Sequence, residues 1–270
     1  MDNIGNFVEL NKSGRLWALG SIHSNLRSFN LIKEFILNNF NSNDKLIFLG
    51  NIIGLGDFSK ETLSSVIDLR FKLMSKFILQ SNSIVFLRGA QEEMFSKLLQ
   101  LQLAPNPSEI VNWMFEHGVN KTINSYGFSE NEARNIASSG TIKISKWTSN
   151  LNKCLQKCPG HIQYFLNLKH AAYSHTKKIL FVNRGVDITR PLSAQNDCFW
   201  WGFQNFSKIQ QPYKTFVRIV RGYESKHLNQ SEILKDKVVC TLFKQPLSNN
   251  NVLCGIFGEN GEILDLFENN

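Results

Sequence analysis

The stretch Leu16-Trp17-Ala18-Leu19-Gly20-Ser21-Ile22-His23-Ser24-Asn25 joins four apolar residues to a glycine turn and a short polar loop. The same order recurs in Lys45-Leu46-Ile47-Phe48-Leu49-Gly50-Asn51-Ile52-Ile53-Gly54-Leu55-Gly56 and in Ser83-Ile84-Val85-Phe86-Leu87-Arg88-Gly89-Ala90-Gln91-Glu92. A short apolar run that stops at a turn signal reads as a buried strand. After the first turn Leu26, Phe29, Ile32 and Ile36 return at helical spacing, which predicts a helix over 25–39. Ser59 is expected to cap a second helix with Leu63, Val66 and Ile67 on its apolar face. A third is expected over about 92–101. Strand, loop and helix in repetition predict an α/β fold with a mostly parallel sheet. The loops then fall at strand C-terminal ends, where such sheets bind ligands.

Further along, Pro105 and Pro107 close this half, and the pattern is helical over 108–175. Strands are expected again at 178–182, 215–220, 237–242 and 252–257. Gly258-Glu259-Asn260-Gly261 is a turn signal between two terminal strands. One domain over 1–270, with a helical cap inserted at about 105–176, is the economical partition.

Two more loops follow later strands: Phe181-Val182-Asn183-Arg184-Gly185 and Val220-Arg221-Gly222-Tyr223. Taken in order, the five loops resemble those of the calcineurin-like metallophosphoesterases, which run G-D-x-H-G, G-D-x-x-D-R-G, G-N-H-E, H-A-G and G-H. The flanks extend the likeness from about residue 15 to about residue 265. Asn112-Trp113-Met114, Thr122-Ile123-Asn124-Ser125-Tyr126-Gly127 and Trp200-Trp201-Gly202 resemble the bacterial serine/threonine-phosphatase-like branch, to which diadenosine tetraphosphatase belongs. The resemblance implies a four-layer α/β/β/α sandwich: two mixed sheets face to face, helices on both outer faces, and an inserted helical cap.

The same resemblance implies a two-metal centre, whose ions clamp a phosphate and lower the pKa of a bound water from 15.7 toward about 7. Carried over by position, the first loop's Asp is Ser21 and its His is His23; the second loop's bridging Asp is Asn51; the third loop's Asn is Ala90. The two later His ligands are Asn183 and Tyr223, and the His that protonates the leaving group is Gln91. Hard dications need carboxylate oxygens and imidazole nitrogens. Five of the six ligand positions are changed, and both carboxylates are gone. The expectation is a catalytically inactive pseudophosphatase with no bound metal and no cofactor. Asp57 and Glu92 read as residues at helix N-termini, and His23 as hydrogen-bonded packing.

Three arginines stand beside the emptied positions: Arg88, Arg184 and Arg221. If all point into the old cleft, guanidinium groups would replace metals in holding a phosphate-bearing ligand. The alternative is that they pair with Glu92, Asp187 or Glu224. Phe199, Trp200, Trp201, Phe203 and Phe206 are read as packing between cap and core.

The formal charge is +8. Residues 121–178 hold nine basic residues against two acids, nearly the whole excess. A field of one sign attracts polyanions, so an acidic protein or a nucleic acid is the expected partner of this basic cap. No apolar run approaches the roughly 20 residues of a membrane span, the first residues carry no secretory pattern, and five cysteines suit a reducing compartment. A cytoplasmic binding or scaffolding protein follows as the expectation. Two rivals stand beside it. One is residual metal-dependent hydrolysis, as a protein phosphatase or a dinucleoside polyphosphate hydrolase. The other is a structural subunit of a large ribonucleoprotein or protein assembly.

Overall fold

A computed structural model describes residues 4–202, 206–223, 238–243 and 252–268. Phe203, Glu224 and Lys237 lie outside the described residues. Two five-stranded sheets pack face to face. The first holds β2 (Leu16–Leu19), β3 (Lys45–Phe48) and β4 (Ile84–Phe86) in parallel, with β9 (Leu253–Phe257) antiparallel to β2 and β10 (Ile263–Glu268) antiparallel to β9. In the second, β5 (Ala171–Tyr173) lies between β1 (Phe7–Glu9) and β6 (Ile179–Val182), and β7 (Arg218–Arg221) and β8 (Val239–Thr241) continue in parallel.

Side-chain alternation explains why the central strands of the first sheet are apolar at nearly every position. In β2, Leu16 and Ala18 enter the core between the sheets, whereas Trp17 and Leu19 face the helices. Ile47 and Leu49 against Leu46 and Phe48, and Val85 and Leu87 against Ile84 and Phe86, repeat this division. A strand buried on both faces reads as a continuous run because both parities lose water.

α1 (Leu26–Asn39) follows the first loop, with the Asn25 side chain accepting from the Ser28 N–H at 3.1 Å and Phe29, Ile32 and Ile36 buried. α2 (Ser59–Phe77) begins one residue earlier than a Ser59 cap requires. The Ser59 hydroxyl lies 2.6 Å from Ser24 Oγ and 3.3 Å from the Gly54 N–H, so it ties loops together instead of capping. α3 (Ala90–Leu98) also starts early, because Glu92 reaches back to the Gly89 N–H at 3.0 Å in a capping arrangement.

α4 (Pro107–Glu116), α5 (Val119–Ser125), α6 (Glu130–Ala137), α7 (Thr141–Gln156) and α8 (His161–Leu166) make up the helical insertion. Their buried residues join one cluster with α1–α3 and the outer face of the first sheet. The helical pattern expected through residue 175 ends earlier, since Ala171–Tyr173 is a strand. Three residues are too few to show a period, and only pairing with β1 and β6 makes them a strand.

The other outer face differs from the expected helical layer. Among the described residues it carries one four-residue helix, α9 (Cys198–Trp201), with turns that bring Phe206, Tyr213 and Phe216 onto Leu180, Val182 and Ile219. Trp200 belongs to this cluster, and Trp201 meets Trp113 of α4 edge-on at 5.8 Å. The tandem tryptophans therefore pack the insertion against the core. No helix among the described residues is long and apolar enough to cross a membrane.

Candidate functional site

All five loops meet at one end of the sandwich. The Ser21 N–H donates to Gly222 O (2.9 Å), joining the first loop to the fifth. The Ile22 and His23 N–H groups both donate to Asn51 O (3.1 and 2.8 Å), joining the first to the second. Asn51 Oδ1 accepts from the Gln91 N–H (3.0 Å), which brings in the third. Asn183 O accepts from the Gly222 and Tyr223 N–H groups, and its Nδ2 donates to Leu49 O at 2.6 Å, which fixes the fourth. The second and third loops cross so closely that glycine is needed on both sides. A Cβ on Gly50, whose φ is +84°, would lie 2.7 Å from Gly89 N, and one on Gly89 would strike Asn51 N and Oδ1.

Glu92 holds the crossing together. Its carboxylate is fully buried and accepts from the N–H groups of Asn51 (2.8 Å), Ile52 (2.8 Å), Ile53 (3.4 Å) and Gly89 (3.0 Å), and from the Tyr164 hydroxyl (3.1 Å). Burial pushes its pKa up while the backbone N–H groups pull it down. The sequence reading of Glu92 as a helix N-terminal residue misses this clamp. Its position three residues after the Gly89 cap was the available signal.

His23, expected to be hydrogen-bonded, is not. Both ring nitrogens are buried without a hydrogen-bond partner among the described residues, and the ring meets Tyr223 edge-on at 5.1 Å and Phe243 at 6.0 Å. Burial lowers its pKa to about 3, so the imidazole is neutral near pH 7. Asn183 Oδ1 and Gln91 Oε1 are likewise buried and unpartnered among the described residues, while Gln91 Nε2 donates to His117 O at 2.8 Å. Ser21 Oγ accepts from Asn51 Nδ2 at 3.3 Å. Ala90 opens α3 and is partly exposed. Asp57 is exposed and pairs with Lys121 at 2.7 Å.

The three arginines do not share one anion site. Arg88 pairs with Glu93 at 2.6 Å and lies over the Trp200 ring. Arg221 is 3% exposed, donates from Nε to Thr241 Oγ1 at 2.8 Å and stacks over Phe206, on the outer side of the second sheet. Arg184 lies over the Tyr223 ring and against Gly202. Asp187 is taken by Arg190 at 3.1 Å. An alternating strand forces this separation: Arg221 has the parity of Ile219, which faces away from the inter-sheet core.

The donor set does not fit the two metal ions that the resemblance implies. Two dications about 4 Å apart repel by on the order of 15–20 kcal/mol even at an effective dielectric of about 20, and anionic ligands must offset that. Ser21, Asn51, Ala90, Asn183 and Tyr223 carry no charge, and the buried carboxylate of Glu92 is already engaged by five donors. Among the described residues, no group of three or more His, Cys, Asp or Glu side chains comes together.

No protein-family model matches the chain, and no curated protein sequence matches it. Solved structures do. A protein proposed to be a diadenosine tetraphosphatase superposes with a TM-score of 0.56 at 13% identity, over 97% of each chain. A protein serine/threonine phosphatase from Saccharomyces cerevisiae, similar to human phosphatase PP5, superposes with a TM-score of 0.52 at 16% identity, over 98% of this chain and 84% of that one. The chain thus shares the fold of these two phosphatase-type structures, two five-stranded sheets packed face to face with helices over the first.

Proposed function

We propose, taking the metallophosphoesterase fold as premise, that this chain does not hydrolyse phosphoesters and instead binds a polyanion through its helical insertion. The observation that carries the first half is the loop cluster. The positions that would hold two metals are filled by neutral side chains, of which Ser21, Asn51 and Asn183 are bonded to one another or to backbone, and the buried carboxylate of Glu92 is spent on the loops.

The second half rests on α7. Lys143, Lys146 and Lys153 of α7 and Lys157, which caps its C-terminus, recur at spacings of three, seven and four, which places them on one stripe. All four are exposed, and none has an ion-pair partner among the described residues. The opposite face, Ile144, Trp147, Leu151 and Leu155, is buried, so the stripe cannot turn inward. No acidic residue occurs between Glu132 and Asp187. The stripe is about 21 Å long at 1.5 Å per residue. A row of lysines of that length matches the repeating phosphates of a nucleic-acid strand better than the irregular charges of a folded acidic protein.

Both halves are tested on the purified protein. Incubation with manganese should leave substoichiometric metal, and generic phosphoester turnover should equal that of His23→Ala. Stoichiometric manganese with turnover lost in His23→Ala would favour residual hydrolysis instead. Binding to a single-stranded oligonucleotide should weaken steeply with salt. Salt-insensitive binding, or capture of acidic proteins without oligonucleotide binding, would count against the nucleic-acid reading.

A further inference from the structure

A cavity of about 540 Å³ lies at the open side of the sandwich, away from the loop cluster. It is bounded by α2, α8 and the edge strands β1 and β4. Its volume falls within the roughly 300–1,000 Å³ of small-molecule sites. Ile67, Ile84, Phe86 and Tyr164 give it an apolar interior. Arg70 and Lys169 are the charged residues that line it, and no acid does. Lys169 Nζ donates to Gly5 O at 2.6 Å, whereas Arg70 has no ion-pair partner among the described residues. Asn82 and Gln163 add uncharged polar groups to the wall.

We propose that this cavity binds a small organic anion with a flat apolar body and its acid group on Arg70. An apolar interior with one unneutralised guanidinium at its wall is complementary to such a molecule, since burial removes the apolar body from water and the guanidinium gives the acid group a charge-assisted bond. An added peptide strand fits less well. β4 is three residues long, and Phe86 O at its free edge already accepts from the Lys169 N–H at 2.9 Å. The Tyr164 hydroxyl that meets this wall also donates to Glu92, so the cavity shares a side chain with the loop clamp.

1-Anilinonaphthalene-8-sulfonate has the required chemistry and reports its own burial by fluorescence. Titration of the whole chain should saturate at one probe per chain. Arg70→Gln, at a partly exposed position, should weaken binding about tenfold, the loss of one charge-assisted bond. Gln163→Trp, on the exposed face of α8 at the mouth, should abolish it, and Lys146→Gln on α7 should leave it unchanged. N-phenyl-1-naphthylamine, which lacks the sulfonate, should bind about tenfold more weakly. Thermal melts of each variant separate lost binding from lost fold. The proposal is overturned by non-saturable probe binding, by equal affinity in Arg70→Gln and Gln163→Trp, by equal affinity for the uncharged probe, or by binding confined to an extended acidic peptide.

Discussion

The loop cluster and the outer face of α7 are opposites. In the cluster, polar side chains are buried and turned on one another: Asn51 to Ser21 and Gln91, Asn183 to Leu49, Glu92 to four backbone N–H groups. On α7 and at its C-terminal cap four lysines stand exposed and unpaired among the described residues. The first region spends its polar groups on holding five turns in place and keeps little charge for a ligand. The second contributes nothing to the core through those lysines and keeps all of its charge. In this chain the loop cluster turns its polar groups mostly onto its own backbone, and the unpaired charge sits on the insertion.

Changes that break one region should leave the other intact. The largest effect is expected for Glu92→Ala, which strands four backbone donors inside the protein. Each costs about 1–3 kcal/mol when left unsatisfied, so urea unfolding should show a loss of about 4 kcal/mol or more, with oligonucleotide affinity of the folded fraction unchanged. Glu92→Gln, which keeps an acceptor oxygen, should lose roughly half as much.

Next in size, the combined Lys143→Glu, Lys146→Glu, Lys153→Glu and Lys157→Glu variant should lower oligonucleotide affinity about 100-fold at low salt. The slope of log K against log salt should fall by about 3, as four phosphate contacts at about 0.7 each are lost. Its urea midpoint should stay that of the parent. An unchanged slope in fluorescence anisotropy would remove α7 from the contact surface.

The smallest effect concerns pH. His23 titrates near 3 in the folded chain against 6.5 for the free side chain, and His161, buried and 3.0 Å from Ser64 Oγ, near 4. Below pH 6.5 the unfolded chain takes up protons that the folded chain refuses. Stability is therefore complete above that pH and falls as pH drops toward 3, by up to about 1.4 kcal/mol per unit for each histidine. His23→Phe keeps the ring against Tyr223 and Phe243 and removes the proton acceptor. At pH 5.5 it should be more stable than the parent by about 1 kcal/mol, and the two curves should converge near pH 7 apart from a constant offset. Parallel urea titrations across pH 5–7.5 check this.

Much of the fold was legible. Phe29, Ile32 and Ile36 announced α1, the apolar runs announced β2, β3, β4, β6 and β9, and the Gly258–Gly261 segment does join the two terminal strands. What escaped was either very short or paid off only at a distance. β5 has three residues and no period, and the covering of the second sheet by turns rather than helices follows from Phe206, Tyr213 and Phe216 meeting Leu180 and Ile219. At the site, neutral residues at the metal positions could be read by alignment with a family pattern. The paths of Arg88, Arg184 and Arg221 could not, because each depends on a partner far off in the chain or on strand parity.

The sequence by itself determined where the chain turns, since a glycine after an apolar strand is a local choice set by backbone sterics and by the burial of both strand faces. It also determined which loop positions lack charge and where the basic excess lies. Tertiary structure alone decided what those residues do. Glu92 became a clamp through donors 39–41 residues away and a tyrosine 72 away, and Asn183 found its acceptor 134 residues back. Burial and hydrogen bonding depend on which surfaces meet, and only the packed sheets and helices bring those surfaces together.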